Sequence, residues 1–166
     1  MTSIVGVRVR GVGAVIASDG QVSNQGHTIL KTDYVKIRCF DTFTVGVAGD
    51  ASMLNWVRQF SGSTFREFRT SLEGSGLNSD FELLVYDALK DRLMTVYHQG
   101  ATLKQKWFAA IGSGSPYMLG ALEMVQSPKT LEEARDICEA VIGVACKLDA
   151  HSSGKIRTAT TSKILA

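Results

Sequence analysis

An α+β fold is what this sequence predicts, with two β-sheets packed face to face and helices on their outer faces. Apolar residues alternate with period two near the start of the chain, and a strand hairpin follows around residues 81–97. They recur at helical spacing in two other regions, around 53–72 and 115–148. The order is therefore strands, two helices, strands, two helices and a closing strand. Stacked sheets covered by helices bury every apolar face in that order.

The first strand is Ile4 to Arg10, where Val5, Val7 and Val9 alternate with Gly6, Arg8 and Arg10 as in a half-buried strand. Gly11-Val12-Gly13 turns the chain into a hairpin partner at Ala14 to Ala17, and Asp19-Gly20 ends it. The polar run Gln21 to His27 reads as a loop. Val35 to Phe40 and Phe43 to Ala48 form a second strand pair around Asp41-Thr42. Met53, Leu54, Val57 and Phe60 then recur at helical spacing, and Phe65, Phe68 and Leu72 suggest a second helix before Gly74-Ser75-Gly76. Phe81 to Tyr86 and Arg92 to Tyr97 make a hairpin through Lys90-Asp91. Ser115-Pro116 opens a third helix, since proline is tolerated in a first turn. Thr130 to Glu133 reads as a capping box for a fourth. Its apolar stripe is Ala134, Ile137, Cys138, Val141, Ile142, Ala145 and Leu148. Ile156 to Leu165 closes as a strand.

The 166 residues suit one domain over residues 1–166, with 45% hydrophobic and 20% charged residues. A net charge of +2, with basic residues scattered along the chain, shows no polyanion face and argues against nucleic acid as partner. The three cysteines, Cys39, Cys138 and Cys146, lack Cys-x-x-Cys spacing and read as reduced core residues. His27, His98 and His151 are too scattered to hold a metal. No run approaches the roughly 18 apolar residues of a membrane span. Arg8 and Arg10 interrupt the first apolar run where a signal peptide needs its hydrophobic region, so the expected location is cytoplasmic.

Thr2 precedes a strand-like run that begins at once. Removal of Met1, usual before a residue this small, would place a hydroxyl and a free α-amine on one residue. Such a threonine carries its own base, with a reference amine pKa of roughly 7.7 to 8.0. Threonine is also a common second residue, so Thr2 by itself does not decide the chemistry.

Six islands decide it together: Thr2-Ser3-Ile4-Val5, Ala17-Ser18-Asp19-Gly20-Gln21, Val35-Lys36-Ile37-Arg38, Val47-Ala48-Gly49-Asp50-Ala51, Ile111-Gly112-Ser113-Gly114-Ser115-Pro116-Tyr117 and Asp149-Ala150-His151-Ser152-Ser153-Gly154. In that order they resemble the proteasome β-type subunits of the N-terminal nucleophile hydrolases. The nearest type is the short bacterial HslV (ClpQ) peptidase, although the sixth island is more like archaeal and eukaryotic β subunits. The resemblance implies a four-layer αββα sandwich and a threonine-type endopeptidase with Thr2 as nucleophile.

It also implies the other roles. Lys36 matches the active-site lysine, whose charge lowers the pKa of the amine and orients the hydroxyl. Asp19 matches the carboxylate paired with it. Gly49 supplies the oxyanion-hole N–H. Ser113 shuttles the amine's proton, and Asp149 and Ser152 position the amine, an acidic pair that HslV-type chains usually lack. Gly143, Cys146 and Asp149 match positions whose backbone carbonyls bind a structural cation, sodium or magnesium, and no cofactor is required for the chemistry. Partners implied are further copies in stacked rings, six-fold rather than seven-fold, an ATPase unfoldase and unfolded protein substrates, with no membrane.

Each position has a plainer alternative. Lys36 on an alternating strand can point into solvent, Gly49 can be a strand-to-helix turn, Ser113 a turn residue and Asp149 a helix-end carboxylate. Gly112-Ser113-Gly114 is not a phosphate loop, because no Gly-Lys-Ser/Thr motif comes after it. Two other functions compete: a catalytically silent ring subunit, and a related hydrolase of small amides. The sequence also departs from the family. One extra residue lies between Asp19 and Lys36, placed in Val22 to Thr28, and Ser3 replaces a second threonine.

Overall fold

The computed structural model describes residues 2–24, 28–98 and 100–165. Met1 and His27 lie outside the described residues. Fifteen elements run in chain order: β1 (Ser3–Val9), β2 (Gly13–Ser18), β3 (Val22–Asn24), β4 (Thr28–Lys31), β5 (Ile37–Cys39), β6 (Phe43–Gly49), α1 (Ala51–Gln59), α2 (Phe65–Glu73), β7 (Phe81–Asp87), β8 (Arg92–Tyr97), β9 (Thr102–Lys104), β10 (Phe108–Gly112), α3 (Ser115–Glu123), α4 (Leu131–Leu148) and β11 (Arg157–Ser162). One sheet has the order β10-β1-β2-β11, the other β5-β6-β7-β8-β9, and β3-β4 form a separate ribbon.

Period-two alternation sorts the strand side chains into layers. Val5, Val7, Val9, Val15 and Ala17 face α3 and α4, packing on Met118, Leu122, Cys138, Val141 and Ile142. Ile4, Ala14 and Ile16 face the other way, onto Leu84, Tyr86 and Leu93 of the second sheet. Phe43, Val45, Leu83 and Val85 then meet Met53, Val57 and Phe68 of α1 and α2. Helices, sheet, sheet, helices: this is the four-layer αββα sandwich. The β1 strand is buried on both faces rather than half-buried. Gly6 is there because a Cβ would strike Leu84 across the sheet interface.

Several expectations need correction. The run Gln21 to His27, read as a loop, contains β3, which pairs with β4 just beyond it, with a register shift between Val22 and Ser23. Such a bulge accommodates one extra residue without displacing the downstream chain. The strand expected over Val35 to Phe40 is only Ile37–Cys39, and Lys36 lies just before it. Strands β9 and β10 are additions to the expected order. β10 is small and only partly alternating, and its register against β1 is a long-range pairing that local pattern does not encode.

Cys39 is exposed on edge strand β5 and Cys146 is half-buried, so Cys138 alone is a core thiol; all three are free. Leu148, at the end of α4, is also exposed. Thr130 Oγ1 accepts the Glu133 N–H, but the Glu133 carboxylate turns to the Lys129 N–H at 2.7 Å, so the box is half made. The complete box is at Thr64 and Glu67, ahead of α2. The basic residues, scattered in sequence, are not scattered in space: six of the eighteen line one groove. Among the described residues no helix is long and apolar enough to cross a membrane.

Candidate active site

Thr2 stands at the start of β1, a central strand held on both sides by β10 and β2. It is 6% exposed and shares the wall of a cavity of about 270 Å³ with Lys36, Gly49, Gln21, Val22, Leu30, Tyr34, Val47 and Leu54. A second cavity, of about 470 Å³, opens on the other side of Thr2 and Gly49 and reaches Ser113, Asp80, Glu82 and His98.

Asp19 organises the floor. Its Oδ1 accepts the Lys36 Nζ–H at 2.8 Å and the Ser3 N–H at 2.9 Å. Its Oδ2 accepts the Gln21 N–H at 3.1 Å and, more distantly, the Ser153 N–H at 3.4 Å. A fully buried carboxylate with four donors is a satisfied anion rather than a stray charge. The chain's bend at Asp19-Gly20 makes this possible, because the Asp19 N–H returns to the Ser3 carbonyl. Lys36 is 2% exposed. Burial pushes its pKa below the ordinary lysine value, with the charge and hydrogen bond of Asp19 opposing. Lys31, the other lysine near this segment, is exposed at the cavity rim.

Gly49 ends β6 with φ at 114°. That conformation favours glycine, and a Cβ would meet the Asp80 carbonyl oxygen. Asp50 comes next as the N-cap of α1, accepting the Ser52 N–H at 2.7 Å. Gly112 is constrained likewise: φ is 86°, and a Cβ would run into the Thr2 carbonyl oxygen.

A hydroxyl–carboxylate network closes the other side. Asp149 Oδ2 accepts from Ser152 Oγ at 2.6 Å and Ser113 Oγ at 2.7 Å, while Oδ1 accepts the His151 N–H at 3.1 Å. Ser113 Oγ also lies 3.5 Å from the Thr2 carbonyl oxygen. Ser152 Oγ is 2.5 Å from Ser3 Oγ. Burial raises the Asp149 pKa, but the hydrogen bonds from Ser152, Ser113 and His151 outweigh it and leave the carboxyl below its ordinary value. Asp149 is thus a helix-end carboxylate, the C-cap of α4, and a member of this network at once.

The fold therefore brings Thr2, Asp19, Lys36, Gly49, Ser113, Asp149 and Ser152 to one end of the sandwich. Gly143 and Cys146 lie in the last turns of α4, and Asp149 caps it. Of the three carbonyls only that of Cys146 falls among the last four of the helix, which lack intrahelical donors; Gly143 lies before them, and the Asp149 carbonyl accepts the Ser152 N–H at 3.1 Å. Among the described residues no group of His, Cys, Asp or Glu side chains is placed to hold a metal.

Two site residues escape a reading of the sequence. Glu82 Oε2 accepts the Gly112 N–H at 2.7 Å and lines the second cavity. Its signal is a lone charge inside the apolar strand Phe81–Asp87. Ser153 Oγ hydrogen-bonds Gln21 Oε1, tying two of the islands together.

The four-layer sandwich of two antiparallel sheets between pairs of helices is the fold of the proteasome-type proteins. A family model described as proteasome subunit matches residues 79–161, half of the chain, and the chain belongs to that family. The matched half carries Ser113, Asp149 and Ser152; Thr2, Asp19, Lys36 and Gly49 precede it. Among solved structures, the chain is similar to eukaryotic HslV from Trypanosoma brucei, at 19% identity with a TM-score of 0.78, over 96% of this chain and 99% of that one. It is also similar to Thiobacillus denitrificans BPH in complex with epoxomicin, at 16% identity and TM-score 0.73, over 98% of this chain and 100% of that one. BPH without that compound gives 17% identity and a TM-score of 0.72, with 98% of each chain covered.

Proposed function

We propose that this chain is a threonine-type endopeptidase in which Thr2, once Met1 is removed, is the nucleophile. The observation that carries the proposal is Thr2 on a cavity wall above a buried Lys36–Asp19 pair, with Gly49 beside it. In this reading the Thr2 α-amine takes the proton from Oγ as Oγ bonds the peptide carbonyl carbon. The negative charge on the carbonyl oxygen is held by the Gly49 N–H; one such donor is worth roughly 2.7–4 kcal/mol in the transition state. The C–N bond then breaks, the departing amine takes the proton, and an ester remains on Thr2. Water, deprotonated by the same amine, releases the acid and restores the hydroxyl.

Lys36 orients Oγ and keeps positive charge near the amine. Ser113, Asp149 and Ser152 relay and orient the amine's proton. A hard cation at the end of α4 would brace Asp149 from behind.

The chamber belongs to the same proposal. A pocket that reads one side chain of the substrate cannot tell a folded protein from an unfolded one, so confinement in stacked rings of this chain, fed with unfolded polypeptide by an ATPase, would supply that selection. The relatives' fold supports this reading. Intact-mass spectrometry with an epoxyketone probe tests it. A protein lacking Met1 that gains one probe mass on Thr2 is the expected result. A protein that cleaves peptides while retaining Met1 would remove the mechanism.

A further inference from the structure

Six cations converge on a groove of about 490 Å³ at the end of the sandwich remote from Thr2. Arg8 and Arg10 come from the end of β1, Lys90 and Arg92 from the β7–β8 turn, Lys104 from β9 and Lys163 from beyond β11. At about 3.4 Å per strand residue, Arg8 is roughly 20 Å along β1 from Thr2. The groove is therefore separate from the peptidase site.

Its one carboxylate is engaged elsewhere. Asp91 Oδ1 accepts the Tyr86 hydroxyl at 2.9 Å and Oδ2 accepts the Gly11 N–H at 2.8 Å. Tyr86 is fully buried, so this carboxylate is anchored to the core. The Asp91 carbonyl accepts Arg8 Nη1 at 2.6 Å, which fixes Arg8 as part of the groove's floor. The Arg8 Nε–H is buried with no hydrogen-bond partner among the described residues. None of the six cations has a side-chain ion pair among the described residues. The chain's net charge is only +2, so the remainder of the molecule is net negative. Six positive charges around the one carboxylate of Asp91 leave the groove strongly positive, and a bound anion relieves their mutual repulsion.

The lining also selects among anions. Three of the cations are arginines, whose planar forks match phosphate oxygens in pairs. No aromatic side chain lines the groove, so a nucleobase finds nothing to stack on. A volume of this order suits a small molecule. We propose that this groove binds a compact, multiply charged phosphate anion.

Calorimetric titration of the full chain with inorganic tripolyphosphate at low ionic strength tests the proposal. Saturable binding is expected, weakening steadily as salt is raised. Arg10→Glu and Arg92→Glu, both at exposed positions, should each lower affinity by about tenfold or more. Lys147→Glu, exposed at the opposite end, should leave it unchanged. A nucleoside triphosphate should bind no more tightly than tripolyphosphate, since its base gains no contact. Absence of binding, or equal loss in all three variants, would overturn the proposal. So would tighter binding of a glutamate-rich peptide or of single-stranded RNA, which would assign the groove to a macromolecule. None of these outcomes depends on whether Thr2 is a nucleophile.

Discussion

Asp19 and Lys36 meet at 2.8 Å with side chains 0% and 2% exposed, and the same carboxylate oxygen holds the backbone N–H of Ser3. The ion pair is therefore continuous with the strand that carries Thr2. Any change to the pair is transmitted to the residue proposed as nucleophile through one hydrogen bond.

Asp19→Asn should destabilise the protein by about 3–5 kcal/mol, because Lys36 would keep its burial and lose its counter-charge. The double variant Asp19→Asn with Lys36→Met should recover much of that loss. Urea unfolding of the two variants side by side checks this. Equal stability of the single and double variants would show that the lysine is not held as a buried charge.

Lys36→Ala should fold yet lose most peptide cleavage, and Lys36→Arg should restore little, since a guanidinium cannot replace a compact ammonium here. Lys31→Ala should retain activity. Cleavage assays on the three proteins decide it. Activity surviving in Lys36→Ala but not in Lys31→Ala would reassign the lysine across the register shift at Val22 and Ser23.

Acid stability should depend on Asp149. Its folded pKa is lowered, so its contribution is present above the unfolded carboxylate pKa and is lost as pH falls through the folded value. Lys36 acts in the same direction, in a window at higher pH. Between its lowered folded pKa and its ordinary value the unfolded chain binds more protons, so stability rises with pH across that window. Thermal unfolding as a function of pH, with Asp149→Asn beside the parent, should show the acid-side loss blunted in the variant. Identical acid limbs would remove Asp149 from the account.

The cavity of about 270 Å³ predicts cleavage after apolar side chains, because Val22, Leu30, Val47 and Leu54 line it while Lys31 and Lys36 oppose a basic one. A library of fluorogenic peptides differing only in the residue before the scissile bond should rank leucine or tyrosine above lysine. Preference for lysine would place that side chain elsewhere, for instance toward Asp80 and Glu82 in the second cavity.

Assembly should be a stack of two rings of this chain, and a cognate ATPase should raise cleavage of unfolded casein. Sedimentation and negative-stain imaging read the first directly. An active monomer or simple dimer would sink the chambered reading and favour hydrolysis of small amides instead.

Much of this is legible in sequence because it is local. Val5, Val7 and Val9 report a strand and its faces, Met53 to Val57 a helix, and the islands around Thr2, Asp19, Lys36 and Gly49 report residue types needed for one chemistry. What local pattern cannot carry is pairing between distant segments. The β10 strand joins β1 over a separation of roughly a hundred residues, and its alternation is too slight to announce it. Cys39 looks like core in sequence because it ends a strand-like run, yet it falls on an edge strand whose position is set by β6 alone. The basic residues show the same limit most clearly. Arg8, Arg92 and Lys163 have no relation along the chain, and only the stacking of two sheets brings the ends of their strands together at one face. Sequence by itself determined the helices, the longer strands and the residue types of the site. Tertiary structure decided which charges meet: it sets Lys36 against Asp19 at 2.8 Å as a buried pair and gathers six cations around the one carboxylate of Asp91, because Coulomb energy depends on separation in space and not along the chain.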